Sequence, residues 1–217
     1  MKLFDTLESL GHEQVVCCYD KASGYRGIIA IHNTTLGPAL GGTRFWSYAN
    51  DDEALTDALR LSRGMTYKNA VAGLNLGGGK AVIMGDNRTT NREMIFRAHG
   101  RFVESLGGRY VTAEDVGTST GDMDYVHMET DYVSGLATKS GDPSPVTARG
   151  VFRSIQASAQ ARWGSSDLTG KTVKATIRCS ANPNTVINPA QIAAPTSAAT
   201  TMISAASRVT KSNCSCR

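Results

Sequence analysis

The sequence predicts an α/β protein. Three observations carry this: an early hairpin pattern of apolar, β-branched runs, a change of hydrophobic period at Asp51, and strand-like and helix-like segments alternating from there to about residue 140. At 217 residues the chain is one large domain or one and a half small ones, with length for a sizeable core.

Residues 2–11 pattern as a short amphipathic helix ended by Gly11. The runs 14–20 (QVVCCYD) and 25–32 (YRGIIAIH) flank KASG, a hairpin pattern. Leu36-Gly37-Pro38 interrupts the chain before Ala39–Trp46, a third strand in which Gly41 and Gly42 permit close backbone approach. From Asp51 the period changes. Ala54, Leu55, Ala58, Leu59, Leu61 and Ser62 recur at three- and four-residue spacing, which predicts a helix capped by Asp51 or Asp52 and running to about Ala72. LGGGKAVIMGD (76–86) reads as a strand, and about 91–106 as a helix stopped by Gly107-Gly108. Tyr110-Val111 is a short strand, 113–121 a loop and about 122–129 a further helix.

The stretch KSGDPSPVTARG (139–150) is the best linker. Thr147–Trp163 then reads as a helix, 164–170 as a turn and Lys171–Ile177 as a strand. From Lys174 onward Ala, Ser, Thr and Asn dominate, without glycine, acid or aromatic residue, and only 198–210 hints at a helix. So abrupt a change is what out-of-frame translation would produce, and 174–217 is expected to be a frameshifted or disordered tail.

Composition excludes several partners. The net charge of +4 is mild and comes partly from the acid-free tail, and no basic stripe marks a nucleic-acid binder. No apolar run would span a bilayer. The N-terminus carries acids by residue five and does not read as a signal peptide, so a cytoplasmic location is expected. Cys17 and Cys18 read as buried strand thiols, and Cys179, Cys214 and Cys216 lack partners at zinc-ligand spacing, so no metal is expected. His12, His32, His99 and His127 are scattered without a triad-like context. Trp46 and Trp163 read as packing residues, and Asp122 with Asp124 as a helix-start charge pair.

Three segments stand out as candidate chemistry: GMTYKN (64–69), GLNLGGGK (73–80) and TAEDVG (112–117). A phosphate loop needs glycine, four residues, glycine, lysine, then serine or threonine; here Ala81 follows Lys80 and Gly73 stands one position too far back. Glycines before a lysine have another use, because they let a small substrate reach the backbone. A desolvated lysine near a second lysine would hold its proton less tightly and serve as a base. The second lysine would pair with a substrate carboxylate, and Asp115 could pass protons. Two lysines and an aspartate on their own are weak evidence, because most such residues are solvated surface groups.

Together with LGPALGGTRFW (36–46), DALRLSRGMTYKNAVAGLNLGGGKAVI (57–83) and GRYVTAEDVGTS (108–119), these segments resemble the N-terminal domain of the glutamate/leucine/phenylalanine/valine dehydrogenase family. The resemblance extends over about 1–173. It implies a mixed sheet flanked by helices as substrate-binding and oligomerisation domain (1–140), then a hinge helix and first strand of an incomplete Rossmann-type domain (141–173). The implied activity is NAD-dependent oxidative deamination of L-leucine and other branched-chain amino acids by a homo-oligomer. Lys80 matches the catalytic lysine that activates water, Asp115 the aspartate that exchanges protons with the amino group, and Lys68 the lysine that binds the substrate carboxylate. Gly41, Gly42, Met65 and Gly78 line the implied site. Leu40 and Ala113 match pocket positions for an aliphatic side chain; neither is charged, which disfavours glutamate and leaves phenylalanine or valine as narrower alternatives. Thr147 matches a threonine near the nicotinamide. A dinucleotide-binding domain should continue from Lys171 into a glycine-rich turn with an acid about 20 residues on. No glycine follows Gly170 and no acid follows Asp167. A substrate domain acting without catalysis, as an oligomerisation unit, is therefore the rival expectation.

Overall fold

A computed structural model describes residues 2–171 apart from 137 and 140. The expected strand beyond Lys171, the 198–210 helix and the tail from 174 lie outside the described residues. The chain divides into two units, Met1–Asp142 and Pro143–Arg217.

In the first unit, α1 (Leu3–Leu10) ends on Gly11, whose left-handed φ of 76° lets its N–H return to the Leu7 carbonyl. Strands β1 (Gln14–Asp20) and β2 (Tyr25–Asn33) pair antiparallel from Gln14 opposite Ile31 to Asp20 opposite Tyr25, the expected hairpin. Its turn is held by the Asp20 carboxylate, which accepts from the Ser23 N–H at 2.9 Å. After β3 (Ala39–Trp46) the chain crosses through α2 (Asp51–Val71) to β4 (Gly77–Met84), then through α3 (Arg92–Glu104) to β5 (Tyr110–Glu114). The α2 cap is Asn50, which accepts from the Glu53 N–H; Asp51 and Asp52 follow it inside the first turn, where their charge suits the helix dipole. β5 runs three residues past Val111 because β3 pairs with it through Thr43 opposite Glu114. Helix α4 (Thr120–His127) starts on a capping box in which Ser119 and Asp122 satisfy each other's backbone N–H groups. Asp122 is therefore a cap as well as a charge, and Arg92 grips both its oxygens at 2.7 Å.

The five strands form one mixed sheet in the order β1-β2-β4-β3-β5, with β3 parallel to both β4 and β5. On one face Ile28, Ala30 and Val82 pack under Ala54, Ala58 and Leu59 of α2, with Leu7 and Leu10 of α1 beside them. On the other, Ile29, Ile31, Phe45, Ala81 and Ile83 meet Phe96 and Val103 of α3 and Met123 and Val126 of α4. A buried polar chain crosses this second layer: His99 joins the Tyr25 hydroxyl (2.9 Å) to Thr43 (2.8 Å), which bonds Thr112 (2.6 Å). Full burial pushes the His99 pKa down to about 3, so the ring is neutral.

Further expectations are corrected. Cys17 is exposed and only Cys18 is buried, because strand alternation turns neighbours to opposite faces. His12 and His32 are not scattered: their rings meet edge-on at 4.8 Å, His12 bonding the Leu59 carbonyl and His32 the Leu10 carbonyl and Thr66 hydroxyl. In the second unit α5 (Ser144–Trp163) begins three residues before Thr147, since Pro145 suits a first helical turn. Trp163 is half exposed, under the Lys171 ammonium at 5.0 Å.

Candidate active site

The parallel strands set the site's rows. Leu40 lies opposite Gly78 on β4 and Val111 on β5, and Gly42 opposite Ala113. Alternation puts Leu40, Gly42 and Arg44 on the α2 face, with Gly78, Lys80 and Val82 of β4 and Val111 and Ala113 of β5. Glycine is required where backbones touch. A Cβ on Gly78 would stand 2.2 Å from the Thr66 nitrogen of α2, and one on Gly41 would stand 1.7 Å from the Gly79 carbonyl oxygen. A Cβ on Gly42 would meet the Glu114 carbonyl oxygen at 2.4 Å and the Asp115 Cβ at 2.9 Å. The bare backbone at Gly42 thus lets the end of β5 fold over β3 and brings Asp115 within reach of Lys80.

Lys80 is only 3% exposed, and its Nζ lies 2.9 Å from Oδ2 of Asp115. The same oxygen accepts from Nε of Arg44 at 2.9 Å. Arg44 also donates through its NH1 nitrogen to Oδ2 of Asp57 on α2 at 2.7 Å, and the Tyr48 hydroxyl donates to that oxygen at 2.9 Å. Thr118 accepts the Asp115 N–H at 2.8 Å. Among the described residues nothing donates to Oδ1 of Asp115.

The charges respond to this arrangement. Burial lowers the proton affinity of Lys80; Asp115 opposes the change and Arg44 adds to it. Burial would raise the Asp115 pKa, but Lys80 and Arg44 outweigh it, so the carboxyl stays below its ordinary range and ionised. Next to it, burial and the facing Asp142 carboxyl push Glu114 up to about 7. The site therefore offers an ionised carboxylate with one open oxygen beside a buried amine with a weakened hold on its proton. That pairing suits proton exchange with a substrate amine.

The remaining predicted residues are placed as follows. Met65 is half buried on α2, next to Thr66, the residue that abuts Gly78. Lys68 is exposed and forms no ion pair among the described residues; its neighbour Asn69 is buried and donates to the Gly77 carbonyl at 2.6 Å. Leu40 and Ala113 are half buried, as a pocket wall requires. Thr147 belongs to the second unit, in the first turn of α5. The cation beside the Lys80–Asp115 pair is Arg44, where the sequence suggested a second lysine. Arg44, Asp57, Tyr48 and Thr118 were not singled out from sequence. The signal for Arg44 was available: it stands two residues beyond Gly42, hence on the same face of β3. Among the described residues no group of three or more His, Cys, Asp or Glu side chains is placed to hold a metal, and no helix is long and apolar enough to cross a membrane.

Residues 12–132 match the family model described as Glu/Leu/Phe/Val dehydrogenase, dimerisation domain. The chain is 59% identical over 176 residues to a leucine dehydrogenase of Bacillus subtilis (strain 168), covering 80% of this chain and 48% of that protein. It is 57% identical over 166 residues to a valine dehydrogenase of Streptomyces virginiae, covering 75% and 46%. Among solved structures it resembles L-tryptophan dehydrogenase from Nostoc punctiforme, with a TM-score of 0.60 and 48% identity over 76% of this chain and 47% of that one. The chain spans about half the length of the curated relatives it matches.

Proposed function

The chain belongs to the Glu/Leu/Phe/Val dehydrogenase family, and from that premise we propose that it carries the amino-acid-binding half of an enzyme that oxidatively deaminates L-leucine and related branched-chain amino acids with NAD. The products are the 2-oxo acid and ammonia. The observation that supports this best is the Lys80–Asp115 pair, a nearly sealed ammonium 2.9 Å from a carboxylate, beside the glycine-lined face and half-buried Leu40 and Ala113. Lys68, which forms no ion pair among the described residues, takes the substrate carboxylate. Oδ1 of Asp115 accepts the substrate ammonium and its proton. Lys80, once deprotonated, is the base that activates water towards the carbon that loses its amino group. The aliphatic wall takes the branched side chain, and a charged side chain there would lose its hydration without a partner.

NAD supplies the oxidising power when bound, but the described residues do not fit a dinucleotide. A dinucleotide pyrophosphate sits on a helix N-terminus reached from a strand through a G-x-G-x-x-G turn. Among the described residues α2, α3 and α4 follow strands without such a turn, and α5 follows no described strand. Hydride transfer is accordingly assigned to no described residue, and Thr147 holds its nicotinamide role by family resemblance alone. A second reading, in which the chain binds amino acid and serves as an oligomerisation unit, is supported by the match of residues 12–132 to a dimerisation-domain model. Either way the reading includes a cytoplasmic location and a homo-oligomer, the latter in keeping with the match to a dimerisation-domain model.

Calorimetry of the purified chain with L-leucine, L-valine and 4-methyl-2-oxopentanoate tests the site, with NADH production measured alongside. Leucine and its oxo acid should bind, and Lys68→Ala should weaken both at least tenfold. If neither ligand binds the parent chain, the amino-acid reading fails. Binding without NADH selects the non-catalytic reading, and tighter binding of valine than of leucine would overturn the leucine assignment.

A further inference from the structure

We propose that Arg44 is the positioning residue of this site: sharing Oδ2 of Asp115 with Lys80, it leaves Oδ1 as the open acceptor and sets a second cation beside the lysine. The inference deepens the amino-acid reading above and rests on it. Arg44 reaches from β3 to two elements at once. Its Nε holds Asp115 at the end of β5 at 2.9 Å, and its NH1 nitrogen holds Asp57 on α2 at 2.7 Å. A guanidinium presents donors in a fixed fork and can serve both carboxylates, whereas an ammonium has one nitrogen to place. The far end is fixed in turn, since Tyr48 donates to the Asp57 oxygen that Arg44 uses.

The electrostatic consequence has a sign. A buried lysine alone with one aspartate forms a neutral pair that grips its proton. A second cation on the same carboxylate oxygen divides that attraction and repels the ammonium, so Lys80 releases its proton more readily. Asp57 works the other way, since its charge offsets that of Arg44. Removing Arg44 should make Lys80 a less available nucleophile; removing the charge of Asp57 should make it a more available one. A merely structural role predicts no such opposition, because loosening the site from either side would expose Lys80 in both cases.

The test is pulse acetylation of the full chain with acetic anhydride at pH 8, which reads the neutral fraction of each amine. Acetylation of Lys80 is quantified by peptide mass spectrometry against exposed Lys21. Arg44→Met should slow Lys80 acetylation about tenfold, Asp57→Asn should speed it several-fold, and Arg44→Lys should fall between Arg44→Met and the parent. Equal-sign changes in Arg44→Met and Asp57→Asn, or none in either, overturn the proposal. If Arg44→Met loses its far-ultraviolet circular dichroism, Arg44→Lys takes its place: slower Lys80 acetylation there beside faster acetylation in Asp57→Asn supports the role, and equal-sign changes or none refute it. Protection of the parent's Lys80 by 4-methyl-2-oxopentanoate is measured separately. Its absence counts against the substrate assignment, while the opposed signs still decide the role of Arg44 within the charge cluster.

Discussion

Replacing Gly42 by alanine should damage the site out of proportion to one methyl group. The new Cβ would lie 2.4 Å from the Glu114 carbonyl oxygen, about 0.6 Å short of the 3.0 Å that real Cβ contacts essentially never breach. The obstacle is backbone, and β5 is anchored there by pairing with β3, so no flexible side-chain end can swing away. Overpacking of this kind costs about 1–3 kcal/mol, a fall in Tm of roughly 3–10 °C for a chain of this size. The functional loss should be larger. A shift of about 0.6 Å in Asp115 would stretch its 2.9 Å contact with Lys80 to the limit of a hydrogen bond, and misplacement on this scale costs on the order of 10²-fold in a reacting geometry. Urea denaturation measures the first effect, and calorimetry with 4-methyl-2-oxopentanoate together with Lys80 acetylation measures the second. A Gly42→Ala chain with the parent's urea midpoint, ligand affinity and Lys80 reactivity would refute the argument that bare backbone is what admits Asp115.

Gly64, in the middle of α2, has nothing within 4 Å of its notional Cβ; Gly64→Ala should therefore stabilise the chain by about 0.5–1 kcal/mol, and a lower urea midpoint would contradict this. Asn69→Ala leaves the Gly77 carbonyl without its 2.6 Å donor in a buried setting and should cost about 1–3 kcal/mol; because Lys68 is the adjoining residue, calorimetry should show weaker ligand binding as well. His12, His32 and His99 all have pKa values depressed below the ordinary 6.5, chiefly by burial, so the fold holds them neutral. Their contribution is intact above pH 6.5 and is lost as pH falls through the folded values, down to about 3 for His99. The urea midpoint should thus decline steadily from pH 7 to pH 4, and a midpoint that stays flat or rises would disprove the neutral state.

The sheet was largely legible because period-two and period-3.6 patterns are local properties of the chain. The pattern gives β3 its observed bounds and the hairpin its turn. The end of β5 is not legible, because Thr112 to Glu114 are not an apolar run; they are strand because β3 supplies the hydrogen bonds, and that pairing spans some 70 residues of sequence. The catalytic candidates were legible through long family motifs more than through their chemistry, since a lysine and an aspartate 35 positions apart announce no contact. The face of Arg44 is legible, since it stands two residues beyond Gly42 on β3, but its partners are not: Asp57 and Asp115 lie 13 and 71 positions away in sequence and meet it only in the fold. The meeting of His12 and His32 was invisible for the same reason, because it depends on α1 and α2 sharing one face of the sheet.

The strand order has a consequence for how the protein is made. β2 and β3 are consecutive in the chain yet are separated in the sheet by β4, which is synthesised some thirty residues later. A ribosome that has delivered the first fifty residues has released a hairpin and a lone strand with a vacant slot between them, each presenting unpaired backbone to anything extended that passes. The slot closes only when β4 arrives with Lys80, and the partner carboxylate emerges after β5. The nascent chain thus carries its greatest risk of mispairing in the interval before the residues of its own site are complete.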